Sequence, residues 1–315
     1  MKVLITGAGG FVCRHIVTAL LEAGHTVVAL DRCFDSDLRA SWHENVDLLE
    51  GDVDALPDVP VDVLIHGAAV TGSPELLGQT PMQNFRANLD PALGAMTWAA
   101  DHAQRAAFVS SSAVYDRAAP GPVDESLSAA PRGLYAVAKY SIERLVGTYA
   151  IDYGYQWTAI RLSNIFGPGE MPRSTRPRLS LIGDLVRQAI TDRGITVSTE
   201  EPARDWTFAP DIGRAVVALL NVPVWSHCLY HVASEQCPTP MEIARLLETM
   251  IPGLQCNFVD SPPTDRPPLT RLGYLANTRL RHDAGFSAWT PLEDGLRQTV
   301  QWQRVQLHQT QETAQ

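Results

Sequence analysis

The chain has no Cys-x-x-Cys pair. Its cysteines (Cys13, Cys33, Cys228, Cys237 and Cys256) are five in number and widely scattered, a pattern that signals neither a disulfide framework nor a zinc site. Reduced thiols in a cytoplasmic protein are the expectation. Positive charge in excess is also missing: 25 lysines and arginines face 35 acidic residues, for a formal net charge of -10. A protein that tracks phosphate backbones needs clustered positive charge, so nucleic acid is excluded as the main partner. No apolar run is long enough to span a bilayer, and Met1 to Gly7 turns glycine-rich too early for a signal peptide, so no membrane partner is expected. No module repeats.

What is present is a chain of 315 residues, 45% hydrophobic, enough for a sizeable core. Short β-branched runs bounded by turn residues fall at Val3 to Ile5, Val27 to Leu30, Val46 to Leu49, Val61 to Ile65, Ala107 to Val109 and Thr158 to Ile160. Longer amphipathic stretches at Phe11 to Ala23, Pro81 to His102 and Leu134 to Tyr153 alternate with them, the second complicated by Pro91 and Gly94. This alternation predicts the α/β class: a Rossmann-type, doubly wound parallel sheet. From Gly167 to Arg178 the chain is Pro/Arg-rich, too irregular for a helix or strand, and reads as a loop over a site. Helices at Leu181 to Thr191, Asp211 to Leu220 and Pro240 to Met250, a strand at Leu229 to Val232 and a last helix from Leu292 to Val305 with a frayed tail suggest a second lobe. The expected division is 1–165 for a dinucleotide-binding domain and 166–315 for a smaller, partly discontinuous substrate lobe, with about 205–228 returning to the first.

Thr6-Gly7-Ala8-Gly9-Gly10-Phe11 follows the first strand and opens the first helix. Glycines there let the backbone turn tightly against a pyrophosphate, whose charge is drawn to the free N–H groups of the helix start. The second strand ends in Asp31, at the spacing of a carboxylate that accepts hydrogen bonds from an adenosine ribose and repels a 2′-phosphate, so NAD is favoured over NADP. Arg32 beside it either stacks on adenine, holds a phosphate, or is simply a solvated charge.

Tyr135 and Lys139 stand four apart on a helix, so they share a face. A phenol is a weak base near neutrality unless positive charge favours its phenolate; lysine and an oxidised nicotinamide would supply that charge. The strand Ala107 to Val109 runs into Ser110, Ser111 and Ser112, where an open parallel sheet places its ligands and a hydroxyl can steady a substrate oxygen.

In these segments, and in Gly51-Asp52-Val53, His66-Gly67-Ala68-Ala69, Asn88, Arg161 to Gly169 and Arg204-Asp205-Trp206, the chain resembles the extended short-chain dehydrogenases/reductases of the NAD-dependent epimerase/dehydratase family over nearly its whole length. The resemblance implies an NAD enzyme in which Tyr135 is the base, Lys139 holds the nicotinamide ribose and Ser111, or second Ser112, completes a triad. It implies that Asp52 and Val53 contact adenine, that Gly67, Ala68 and Ala69 line the dinucleotide, that Ile165 lies near the nicotinamide and that Asn164 faces the substrate. It also implies a homodimer through the helices at Pro81 to His102 and Leu134 to Tyr153. Phe11 and Val12 on the cofactor side, with Thr71, Arg173 and Arg204 on the substrate side, complete the candidate site.

Two departures stand out. Cys13 occupies the place of the usual third glycine, where a slight backbone shift is expected. No Gly-Asp-Gly turn precedes Arg204; the chain has Thr199-Glu200-Glu201, which weakens a UDP-sugar substrate. Arg173, Arg176 and Arg178 could with Arg204 clamp a carboxylate or phosphate, or form a solvated basic loop. His227 and His231 flank a strand and should not share a metal; His66 reads as a satisfied core residue. The leading expectation is net oxidation of a secondary alcohol on a carbohydrate-like, anionic substrate. Epimerisation through transient oxidation and a non-catalytic NAD-sensing module are the alternatives.

Overall fold

The computed structural model describes residues 1–42, 44–115, 121–260 and 273–313. Its strands are β1 (Lys2–Thr6), β2 (Thr26–Asp31), β3 (Val46–Glu50), β4 (Val61–His66), β5 (Ala103–Ser111), β6 (Gln156–Leu162), β7 (Asn164–Phe166), β8 (Gly194–Ser198), β9 (Trp206–Phe208), β10 (Leu229–Val232) and β11 (Gln255–Val259). Its helices are α1 (Cys13–Glu22), α2 (Ser36–Trp42), α3 (Pro74–Leu77), α4 (Pro81–His102), α5 (Leu134–Asp152), α6 (Leu181–Thr191), α7 (Ala209–Leu220), α8 (Pro240–Met250), α9 (Thr278–Ala284) and α10 (Leu292–Thr313).

Seven strands form one parallel sheet in the order β10-β6-β5-β4-β1-β2-β3. The β-branched runs fill it because both faces are covered by helices, leaving no polar face to alternate with. One face packs on α1 and α7 through Ile16, Val17, Leu20, Ile212, Val216 and Leu219. The other packs on α4 and α5 through Ala92, Met96, Ala99, Ile142 and Val146. Chain order runs from β1 outward through β2 to β3, then reverses across β1 to β4, β5 and β6. The reversal opens a crevice between β1 and β4 at their carboxyl ends, where open α/β sheets bind ligands.

A second cluster is built from α6, α8 and α10 with β8 and β9, around Ile182, Val186, Ile243, Leu247, Leu296 and Val300. Helix α8 starts with a capping box between Thr239 and Glu242 and Pro240 in its first turn, a combination that sets a helix start. Helix α4 uses the same device, Thr80 with Gln83 and Pro81, and runs unbroken past Pro91 to His102. The Gln/Thr-rich tail, expected to fray after Val305, instead continues α10 to Thr313, because glutamine and threonine pose no steric barrier to a helix already nucleated by packing.

Candidate functional site

Gly7 sits at φ +68°, and a Cβ on it would lie 2.6 Å from the Ala68 Cα. Only glycine fits, because the turn after β1 crosses the turn after β4 at the crevice. A Cβ on Gly10 would meet the Gly7 carbonyl at 2.9 Å. Helix α1 then opens from Val12 with no side-chain cap, so its first amides keep donors for an anion. Asp31, at the end of β2, accepts from the Gly9 N–H at 2.9 Å and from the Arg32 N–H at 2.7 Å, which fixes the carboxylate at the mouth of the crevice. The residues present therefore fit a dinucleotide: a cradle that a Cβ would fill, an uncapped helix start and a carboxylate at ribose distance along the next strand.

Two cavities share this crevice. One, about 510 Å³, is lined by Gly7, Gly10, Asp31, Arg32, Asp52, Val53, Gly67, Ala68 and Ala69. The other, about 780 Å³, is lined by Gly7, Gly10, Phe11, Val12, Gly67, Ala69, Thr71, Ser111, Tyr135, Lys139, Asn164, Ile165, Arg173 and Arg204. All the candidate residues but one thus come together. The exception is Ser112, which opens the short turn 112–114 and lines neither cavity; strand β5 ends at Ser111, and one residue further the chain has already turned away.

Tyr135 is hydrogen-bonded to Ser111, and burial pushes its phenol above the ordinary tyrosine value, opposed by that bond and by the Arg176 guanidinium. Two cations thus stand near the phenol: Arg176, and Lys139, whose Nζ lies over the Tyr135 ring at 5.9 Å from its centre. Lys139 donates to the Val109 carbonyl at 2.8 Å, and its burial lowers it to about 8, opposed by Cys13 and Glu143. Nothing in the spacing of Arg176 marks it; the loop after β7 brings it into the cavity that Tyr135 lines, over the Phe11 ring at 5.0 Å.

That loop is ordered by its own bonds. Arg173 and Arg176 exchange backbone hydrogen bonds at 2.9 Å each, making a tight turn with Ser174 and Thr175 at the tip. The Thr175 carbonyl accepts from the N–H groups of both Thr71 and Gly72 at 3.0 Å. Arg173 pairs with Asp35, which also receives Arg14 at 2.8 Å, and Arg176 pairs with the buried Glu170. Arg173 and Thr175 line both cavities, so the turn lies across the crevice. Arg173, read from sequence as a substrate ligand, lines both cavities and is tied to Asp35. Asp35 gave no motif signal; it lies in the irregular segment between β2 and α2, four residues after Asp31.

Cys13 is accommodated by its neighbour across the crevice. A Cβ on Gly67 would lie 2.1 Å from the Cys13 Sγ, so the thiol fills the volume that a side chain at 67 would need. Burial, with Asp31 nearby, pushes the thiol up to about 12, which keeps it protonated and unreactive. His66 is only half satisfied: Nδ1 meets Thr6 Oγ1 at 2.9 Å, while the buried Nε2 has no partner among the described residues.

His15 on α1 holds the Pro168 carbonyl through Nε2 at 2.9 Å, and burial lowers it to about 4. Its folded value lies below the unfolded one, so between them the unfolded chain binds the extra proton and stability falls as pH falls. Replacing His15 with Gln should therefore flatten the pH dependence of unfolding free energy by about 1.4 kcal/mol per pH unit between pH 6 and 5. Urea titrations of both proteins across that range measure it; parallel curves would refute it.

Residues 3–227 match the NAD dependent epimerase/dehydratase family. The chain belongs to that family. Its members are NAD-dependent enzymes of sugar and nucleotide-sugar chemistry. Among curated relatives, UDP-glucuronic acid decarboxylase 1 of Xenopus tropicalis is 26% identical over 97% of this chain and 73% of its own length. Protein CapI of Staphylococcus aureus is 26% identical over 96% of this chain and 98% of its own. Of solved structures, UDP-glucose-4-epimerase of Stenotrophomonas maltophila, with bound NAD and formylated UDP-arabinopyranose, shares the fold at TM-score 0.85 and 22% identity, covering 98% of this chain and 99% of its own. MoeE5 in complex with UDP-glucuronic acid and NAD superposes at TM-score 0.82 with 24% identity, over 97% and 100% of the two chains.

Proposed function

We propose that this enzyme transforms an anionic, nucleoside-diphosphate-linked sugar without net oxidation, returning to the substrate the hydride it first removes. The observation that carries this reading is the turn 173–176 lying over the crevice, bonded to Thr71 and Gly72 on one side and to Asp35 on the other. A dinucleotide held between Asp31 and Tyr135 would have that turn over it, which favours a cofactor kept from cycle to cycle over one exchanged at every turnover. This reverses the balance between epimerisation and net dehydrogenation that the sequence suggested, since the residues beside the reacting carbon serve both.

NAD supplies a hydride acceptor and donor. The protein's own residues do the rest. Tyr135 removes the proton from a sugar hydroxyl, Ser111 steadies the oxygen as charge develops on it, and Arg176 offsets the cost of the buried phenolate. Lys139, with one of its three donors on Val109, keeps two for the nicotinamide ribose. Anion recognition falls to the second cavity, where Arg178 has no ion pair or hydrogen bond among the described residues. Two of the solved structures that resemble the chain hold a UDP-sugar together with NAD. Glu201, buried and 3.4 Å from Arg204, stands in place of the Gly-Asp-Gly turn.

Protein taken through gel filtration, then denatured, should release close to one NAD per chain. An Asp35→Ala variant, with the turn untied, should release several-fold less. Protein that emerges free of dinucleotide, requires added NAD and accumulates NADH in step with product would overturn the proposal.

A further inference from the structure

Three consecutive residues at the end of β5 are tied to three successive turns of α5. Val109 accepts from Lys139, Ser110 donates to Glu143 at 2.5 Å, and Ser111 bonds Tyr135. On the helix these partners fall at intervals of four, so one face carries them all, while the strand supplies carbonyl, side chain and side chain in turn. Glu143 lies at the inner end. It accepts Arg161 Nε at 2.8 Å and a second Arg161 nitrogen on its other oxygen, and both side chains are about 5% exposed or less.

From Arg161 the chain of bonds crosses the sheet. Ser110, Arg161 and His231 are in register on β5, β6 and β10. Arg161 also donates to the Tyr115 hydroxyl, which meets His231 Nε2 at 2.7 Å, and His231 Nδ1 meets the Ala276 carbonyl at 3.0 Å. A buried ion pair adds little net stability, since desolvation offsets its attraction. What this one can supply is geometry and field at a site where both matter.

We propose that Glu143 is a positioning residue of this enzyme: its carboxylate anchors the strand end that carries Ser111 and provides the countercharge that keeps Lys139 an ammonium. The inference concerns residues of the proposed site but reads the charge on Lys139, so it can fail while the hydride-return reading stands, and the reverse. The groups facing Lys139 are Tyr135 and Glu143 from α5, Cys13 from α1 and His66 from β4. Cys13 and His66 are held neutral by burial. Glu143, one helical turn from Lys139 on the same face, is the carboxylate among them.

The chain contains two lysines, Lys2 and Lys139, so protein labelled with [ε-13C]lysine gives two resonances, and Lys139→Arg identifies the buried one. In protein freed of dinucleotide that resonance should titrate with a midpoint near 8. Glu143→Gln should move the midpoint down by about one pH unit, the size of a single charge one helical turn away in a protein interior. Ser110→Ala, which removes a hydrogen bond and no charge, should leave it in place. Should Glu143→Gln alone not fold with Arg161 unpaired, the double variant Glu143→Gln/Arg161→Gln, which removes a positive charge as well, should show a smaller shift in the same direction. A midpoint unmoved by loss of the carboxylate, or moved equally by Ser110→Ala, overturns the proposal; the first outcome denies the countercharge and the second reduces Glu143 to packing.

Discussion

Tyr135→Phe should cut turnover of any nucleotide sugar that the enzyme accepts by about 10³-fold, within the range set by removal of one positioned acid–base group. The ring stays and only the hydroxyl goes, so the bond to Ser111 is lost while packing against α5 and the Phe11 side of the cavity is kept. Dinucleotide content should therefore match that of the unaltered protein, and so should unfolding. The contrast is the test, because a loss of turnover accompanied by loss of NAD would mean that the phenol serves binding. Turnover within a few-fold of the unaltered enzyme would remove Tyr135 from the chemistry altogether. Arg176→Met offers a graded companion: the phenol loses the cation that opposes its burial, and the pH at which activity rises should move upward.

The second large effect concerns stability and is a matter of volume. Gly67→Ala places a methyl group 2.1 Å from the Cys13 Sγ and 3.3 Å from the Thr6 carbonyl. Neither neighbour can yield freely, since Cys13 begins α1 and is buried, and Thr6 ends a central strand. Overpacking of this kind costs about 1–3 kcal/mol, and because both residues line the dinucleotide cavity it should also lower NAD content. Cys13→Gly removes the obstructing thiol and, by itself, should cost about 1–2 kcal/mol through a small cavity and a glycine in the first turn of the helix. Combined, the two changes should nearly cancel. Urea unfolding of the four proteins gives the coupling energy, and simple additivity would show that the thiol and residue 67 do not compete for the same space.

The two substitutions together recast the departure at Cys13. A sequence reader sees a glycine motif with one member missing and expects the backbone to adjust at the site of the change. The structure instead places the compensation on the neighbouring strand, where Gly67 stands, 54 positions along the chain. No local pattern relates the two residues; only the crossing of the β1 and β4 turns at the crevice does.

Much else was legible before any coordinates, for reasons that can be stated. The central sheet could be read because its strands are buried on both faces and must be continuously apolar. The glycine turn, Asp31 and the Tyr135/Lys139 pair could be read because each depends on a short stretch of chain, where spacing alone fixes geometry. Between Ser111 and Ser112 the sequence could only rank; the end of β5 leaves Ser111 lining the cavity and Ser112 outside it. The strands β7, β8, β9 and β11 were not legible: they are short and lie in the two small two-stranded sheets outside the main one, so they carry no run long enough to distinguish from loop.

The sequence by itself determined the family, the α/β architecture, the cofactor and the helix face that bears the phenol and the lysine, because periodicity and local sterics act over a few residues. Tertiary structure alone decided that Arg176 joins Lys139 near Tyr135, what receives Arg173, how Cys13 is tolerated and what anchors the inner end of the β5–α5 seam. Each of those depends on segments brought together from far apart in the chain, where distance in space bears no relation to spacing in sequence, and where a buried charge is matched by whatever the fold delivers to it.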